Sequence, residues 1–252
     1  MKLILPTLTL VSFISADRNS RIQNLLTTLK SQLENTPVNA NDENAPFPMM
    51  GNQMGRKINS NDVQIINGYG CWCNFDNQKN GKGVPVDEYD TICKTLFDNY
   101  HCIEMDQEAE NDVCDLENQE YTSALGSGQF DITISSERLI YECQVANPNN
   151  NCGMRLCIAE GNFVIGMLKL PFQQLIFPDS FSFGHGNGFD VNSCSFGGIA
   201  VESEVSCCGQ LPKRFPYRTL DGGRACCNGR TYNTITATCC QDGTVSKGSS
   251  CF

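Results

Sequence analysis

The chain carries only two histidines, His101 and His185. Histidine is the side chain best matched to proton transfer near neutral pH, so an acid–base site has few places to form. His101 closes the run PVDEYDTICKTLFDNYHC at 85–102, and His185 lies in a stretch rich in Phe, Gly and Ser. One carboxylate is placed unusually. Within CGMRLCIAEGNFVIGMLKL (152–170), Leu156, Glu160, Phe163, Val164 and Met167 share one face of a helix. A carboxylate on an apolar face is costly unless it is hydrogen-bonded, so Glu160 is either held by donors or sits at the edge of the stripe. Sixteen cysteines supply the remaining reactive chemistry. No pair of CxxC knuckles occurs, and an even number favours disulfides over metal binding.

Periodicity gives the elements that must position these residues. Val86, Tyr89, Cys93, Leu96, Phe97 and Tyr100 form a stripe that predicts a half-buried helix over 85–106, with Pro85 in its first turn. Asp87, Glu88, Asp90, Lys94 and Glu104 fall largely outside that stripe. Ile22, Leu25, Leu26, Leu29 and Leu33 predict an amphipathic helix at 20–34, followed by a polar linker that runs to about Asn61. That helix packs on the next domain or serves as a pro-segment, and both readings stay open.

The opening MKLILPTLTLVSFISA reads as a secretory signal peptide over 1–16: Lys2, an apolar run over 3–14, then the small Ala16. The run is shorter than the ~20 residues a membrane span needs, and no later stretch is longer. The expectation is a secreted, extracellular chain without a transmembrane segment. A net charge of −10 argues against nucleic acid as a partner. It leaves zwitterionic lipid, calcium and basic partners open.

Cysteines divide the chain after a cysteine-free 17–67. Residues 68–170 hold Cys71, Cys73, Cys93, Cys102, Cys114, Cys143, Cys152 and Cys157, and 194–252 hold the other eight. Each half can pair internally, which predicts two separately stapled modules joined by a connector at 171–193, whose phenylalanines are expected to pack on the first module. In the second module Cys207/Cys208, Cys226/Cys227 and Cys239/Cys240 recur, each followed by a turn signal: Gly209, Asn228-Gly229 and Asp242-Gly243. Adjacent cysteines rarely bond each other, so each pair is expected to reach two partners and staple neighbouring repeats.

Upstream of the first helix lies NGYGCWCNFDNQKNGKGVPVDEYD (67–90). Tyr69-Gly70-Cys71-Trp72-Cys73, then Gly81-Lys82-Gly83, then Pro85-Val86-Asp87 and Asp90, resemble the calcium loop and helix start of the secreted phospholipases A2. The resemblance is close there and looser over 68–170. It implies a phospholipase A2-like helical domain and a disulfide between Cys73 and Cys93. Read without gaps from that pairing, Leu96 stands at the base histidine, Phe97 at the calcium-binding aspartate and Tyr100 at a supporting tyrosine. A one-residue shift puts Phe97 at the histidine and keeps Asp98, but Asp98 then lies about 140° round the helix from Cys93. The histidine is missing in either register. Ile92 also replaces one of the family's two adjacent helix cysteines. Glu160 is the counterpart of an aspartate that the family orients toward the histidine, with Tyr100 or Tyr141 as its partner. Trp72, Asn74 and Asp76 fall in the calcium-loop-like stretch, Trp72 either in the core or at a lipid-facing rim, and Asp76 as a substitute ligand. The resemblance implies no cofactor but calcium, and that only if the loop binds it.

A positioned base is worth about 10²–10⁴ in rate, and a metal ion stabilises the oxyanion further. Leucine and phenylalanine do neither. The words CCNGRTYN and CCQDGTV resemble galaxin-type repeats of extracellular matrices. The expected fold is mainly α and disulfide-rich: a phospholipase A2-like helical domain (68–170) plus a small β- and turn-rich cysteine-repeat module (194–252). The expected function is non-catalytic: binding lipid or another extracellular partner, with phospholipid or extracellular matrix proteins as the candidates, or contributing to a secreted matrix. The alternative is a calcium-dependent phospholipase A2 that hydrolyses the sn-2 ester.

Overall fold

The computed structural model describes residues 17–18, 20–22, 24–25, 68–73, 75, 83–110, 113–124, 135–169, 184, 188–195, 204–248 and 250–251. The proposed signal peptide, the linker, most of the connector, His185, Asn74 and Asp76 lie outside these residues.

Three α-helices build the first part: α1 (Glu88–Glu110), α2 (Ser136–Ala146) and α3 (Asn151–Lys169). Helix α1 begins later than Pro85 suggests. The Asp87 carboxylate accepts a hydrogen bond from the Asp90 N–H at 2.9 Å, which makes Asp87 the N-cap and leaves Pro85 outside. Helix α2, which the periodicity did not reveal, is capped in the same way by the Ser135 hydroxyl on the Arg138 N–H at 3.2 Å. Helix α3 packs along both α1 and α2. Described residues 18, 20–22, 24 and 25 are helical and add Ile22 and Leu25 to the core, so this segment packs on the domain that follows it. Phe189 is the described connector phenylalanine, and it packs partly buried against that core.

The observed core follows the two stripes read from the sequence. Tyr89, Cys93, Leu96 and Tyr100 from α1 are buried, as are Leu156, Phe163, Val164 and Met167 from α3. Asp90 departs from expectation: assigned to the exposed side, it is fully buried.

Three antiparallel hairpins follow: β1 (Val205–Cys208) with β2 (Phe215–Arg218), β3 (Arg224–Cys227) with β4 (Arg230–Asn233), and β5 (Ala237–Cys239) with β6 (Val245–Lys247). The turn between β3 and β4 is Asn228-Gly229, with φ of 46° and 77°. Both residues sit in the left-handed region that a two-residue hairpin turn requires, and Asn and Gly occupy it at least cost. The Cys-Cys pairs act as linkers. Cys208–Cys226 and Cys227–Cys239 run from one hairpin to the next and Cys240–Cys251 closes the last, so with Cys102–Cys207 each adjacent pair does reach two partners.

The expectation that each half pairs internally is overturned. Cys71–Cys194 and Cys102–Cys207 cross between the halves, while Cys73–Cys93, Cys114–Cys152 and Cys143–Cys157 stay within the first. An even count in each half permits internal pairing, but two crossing bridges preserve the same parity. The first hairpin is therefore fastened to α1. Arg214 Nε meets Asp106 at 2.7 Å, and Arg218 Nη2 meets Asp98 at 3.7 Å. No helix among the described residues is long and apolar enough to cross a membrane.

Candidate functional site

Helix α3 carries Glu160 into the core, where it is fully buried. Both carboxylate oxygens are engaged. The Tyr100 hydroxyl donates to Oε1 at 2.9 Å, and the Tyr121 hydroxyl donates to Oε2 at 2.7 Å. Arg21, also fully buried, donates from Nη2 to Oε1 at 2.9 Å and from Nε to Oε1 and Oε2 at 3.1 and 3.4 Å. The rest of its guanidinium is used as well, on the carbonyls of Leu116 (2.7 Å), Glu117 (3.0 Å) and Gln119 (3.4 Å). A buried carboxylate is tolerable when its lone pairs meet donors and its charge meets an opposite charge, and Glu160 has both.

Of the expected partners, Tyr100 is present. Tyr141 is 64% exposed and takes no part, and Tyr121 and Arg21 hold the site instead. Neither had a local signal. Arg21 reads as the solvent face of an amphipathic helix, and Tyr121 lies in a short segment without periodicity. Burial opposes the charge on Arg21, but the Glu160 carboxylate and its hydrogen bond outweigh it, so the guanidinium pKa lies above its ordinary value. Burial, with the Glu160 charge, also holds the Tyr100 and Tyr121 hydroxyls well above the usual tyrosine range.

Leu96, one turn before Tyr100 on α1, is 1% exposed and part of the core. Phe97 joins an aromatic cluster, with ring centroids 6.3 Å from Trp72, 6.3 Å from Phe75 and 6.2 Å from Tyr100. The Arg18 guanidinium carbon lies 5.5 Å from the Phe97 centroid and 5.6 Å from that of Tyr100. Arg18 also donates to the Phe75 carbonyl at 3.3 Å and pairs with Glu117 at 3.2 Å. Beside this cluster opens a cleft of about 550 Å³, lined by Arg18, Trp72, Phe97, Tyr100, His101 and Glu117 among others. His101 is on the open side, half exposed, with Nδ1 3.9 Å from Glu104. At these positions the donors do not suit calcium. A phenyl ring offers no oxygen, and the Arg18 cation stacks on it. Among the described residues, no group of three His, Cys, Asp or Glu converges on one point.

The loop before α1 is held by Asp90. Its carboxylate accepts from the N–H groups of Cys71 (2.9 Å), Trp72 (2.7 Å) and Val86 (2.9 Å). Burial raises the Asp90 pKa above the ordinary carboxylate value, against the pull of these three donors. Gly70 passes over it with φ +60°, and a Cβ there would lie 2.5 Å from Asp90 Cγ. Gly70→Ala is therefore expected to cost about 1–3 kcal/mol in thermal unfolding and to shift the emission of Trp72. The Cys73–Cys93 disulfide pins the same loop to α1. Trp72 is 8% exposed and packs in the core. Its indole N–H donates to the Gly83 carbonyl at 3.1 Å, and Lys94 Nζ lies 3.4 Å from its ring centroid.

Burial raises two further tyrosines. Tyr69 moves well above its ordinary value, aided by its hydrogen bond to Asp87, and Tyr89 is pushed up to about 12, aided by the charges of Asp87 and Glu88. With Tyr100 and Tyr121, four of the seven tyrosines keep their protons in the fold at pH values where the unfolded chain releases them. Their folded pKa values exceed the unfolded value of about 10, so their contribution to stability is complete below that pH and is lost as pH rises above it. Tyrosinate absorbance followed against pH is expected to show these four ionising together with alkaline unfolding, not before it.

No family model, curated protein or solved structure matches the chain.

Proposed function

We propose that this chain is a secreted, non-catalytic binding protein on a phospholipase A2-like scaffold, taking a lipid or another extracellular partner, with the galaxin-like hairpins as its contact to a surrounding matrix. The observation that carries this reading is the Phe97 cluster. At the position where the resemblance implies a calcium ligand, an aromatic ring packs among Trp72, Phe75 and Tyr100 under the Arg18 cation. Leu96 accepts no proton, and Glu160 is committed to Arg21, Tyr100 and Tyr121. What remains is a cleft with aromatic walls and a polar mouth, which suits holding a molecule more than cleaving one. Eight disulfides fit an oxidising, extracellular setting.

The test is fatty-acid release from phospholipid vesicles, with calcium and with chelator, alongside solvent extraction of the purified protein. The expected result is no calcium-dependent release, with lipid recovered in the extract. Calcium-dependent release that survives repurification would restore the phospholipase alternative. An extract without lipid would shift the reading to a protein partner.

A further inference from the structure

No disulfide holds residues 17–25, because the first cysteine of the chain is Cys71. They are docked all the same. Ile22 and Leu25 are 0% and 2% exposed, and Arg21 reaches the centre of the helical body. There its guanidinium meets an all-oxygen cradle: the two Glu160 oxygens and the carbonyls of Leu116, Glu117 and Gln119. All three of its nitrogens donate, two of them to the same carboxylate, in the planar fork that only a guanidinium provides. An ammonium group at that depth has three donors in a cone and cannot serve five oxygens spread round a plane.

We propose that this cradle is a guanidinium-specific binding site, and that residues 17–25 are its built-in, detachable ligand. Described residues 18, 20–22, 24 and 25 are helical and make a strap, read through Arg21, that lays Arg18 over the faces of Phe97 and Tyr100 and so borders the cleft. The ligand class is an arginine-bearing amphipathic helix, and the occupant is the chain's own segment. This holds whether or not the cleft takes lipid.

The experiment places one specific protease site within 35–61 of the full chain and cuts it under native conditions. The N-terminal fragment is expected to co-elute with the body and to be displaced by an excess of synthetic peptide covering 17–34. Displacement is read by mass and by Trp72, the only tryptophan, which packs against Phe97. A peptide carrying Arg21→Lys is expected to bind at least about tenfold more weakly than the native sequence, although its charge is kept. Three results would overturn the proposal: equal binding of the Lys peptide, separation of the fragment on cutting while the body keeps its circular dichroism, or collapse of the body when the fragment is displaced.

Discussion

Glu160→Gln is expected to destabilise the chain by about 3–5 kcal/mol in denaturant unfolding with the disulfides intact. The substitution is nearly isosteric, so packing is preserved and the electrostatic loss is isolated. It leaves the Arg21 cation, 0% exposed in its side chain, without its counter-charge. It also turns an NH₂ group toward oxygens and nitrogens that are themselves donors: the Tyr100 hydroxyl, the Tyr121 hydroxyl or the guanidinium. One of them must then go unpaired in a site without water access. The double substitution Arg21→Met/Glu160→Gln is expected to recover part of the loss, because it removes the unpaired cation while the carbonyls of Leu116, Glu117 and Gln119 lose their donor. A Glu160→Gln protein as stable as the native one would mean that the pair contributes no net stability. If the strap undocks before the body unfolds, Arg21 regains water and the measured loss shrinks to the docking free energy of residues 17–25. That case shows itself as a second, early transition in Trp72 emission.

The second large effect concerns the Cys102–Cys207 bridge, which closes a sequence separation of 105 residues. Replacing both cysteines by serine is expected to cost about 2–3 kcal/mol. The loop length alone suggests more, but Cys71–Cys194 and Cys73–Cys93 already shorten the covalent path between residues 102 and 207 in the unfolded chain. Besides packing, the pairs Arg214–Asp106 and Arg218–Asp98 also link the first hairpin to α1. Partly exposed ion pairs contribute little, so the hairpins should loosen from the helices while the hairpins themselves persist through Cys208–Cys226, Cys227–Cys239 and Cys240–Cys251. Hydrogen exchange should show α1 near Asp98 and Asp106 losing protection, with the β3–β4 pairing unchanged. Equal protection at both places would mean that packing, not the bridge, holds the hairpins to α1.

Much of the architecture was legible locally. Helical periodicity marked the buried faces of α1 and α3, and the Asn-Gly and Asp-Gly words marked turns, because both signals arise from residues a few positions apart. The Cys-Cys pairs announced a ladder of cross-links for the same reason: one geometric rule, that neighbours do not bond each other, acts within the repeat. Helix α2 was missed because its apolar face is narrow, with Leu139 and Cys143 as its buried residues. Asp90 was placed outside because a charge in an amphipathic helix normally faces water, and nothing nearby announced the three backbone N–H groups that bury it.

The sequence by itself determined helices α1 and α3, the turns, the repeat and the absence of a histidine at the position that the resemblance assigns to the base. Only the tertiary structure decided which charges are inside. Arg21 and Glu160 lie 139 residues apart, and Cys71 and Cys194 are separated by 123. Composition and periodicity are sums over neighbours, so they carry no information about a pairing across that distance. A buried ion pair is favourable only when both partners arrive together, and their meeting depends on how α1, α3 and the N-terminal segment pack, which no short stretch of residues encodes alone.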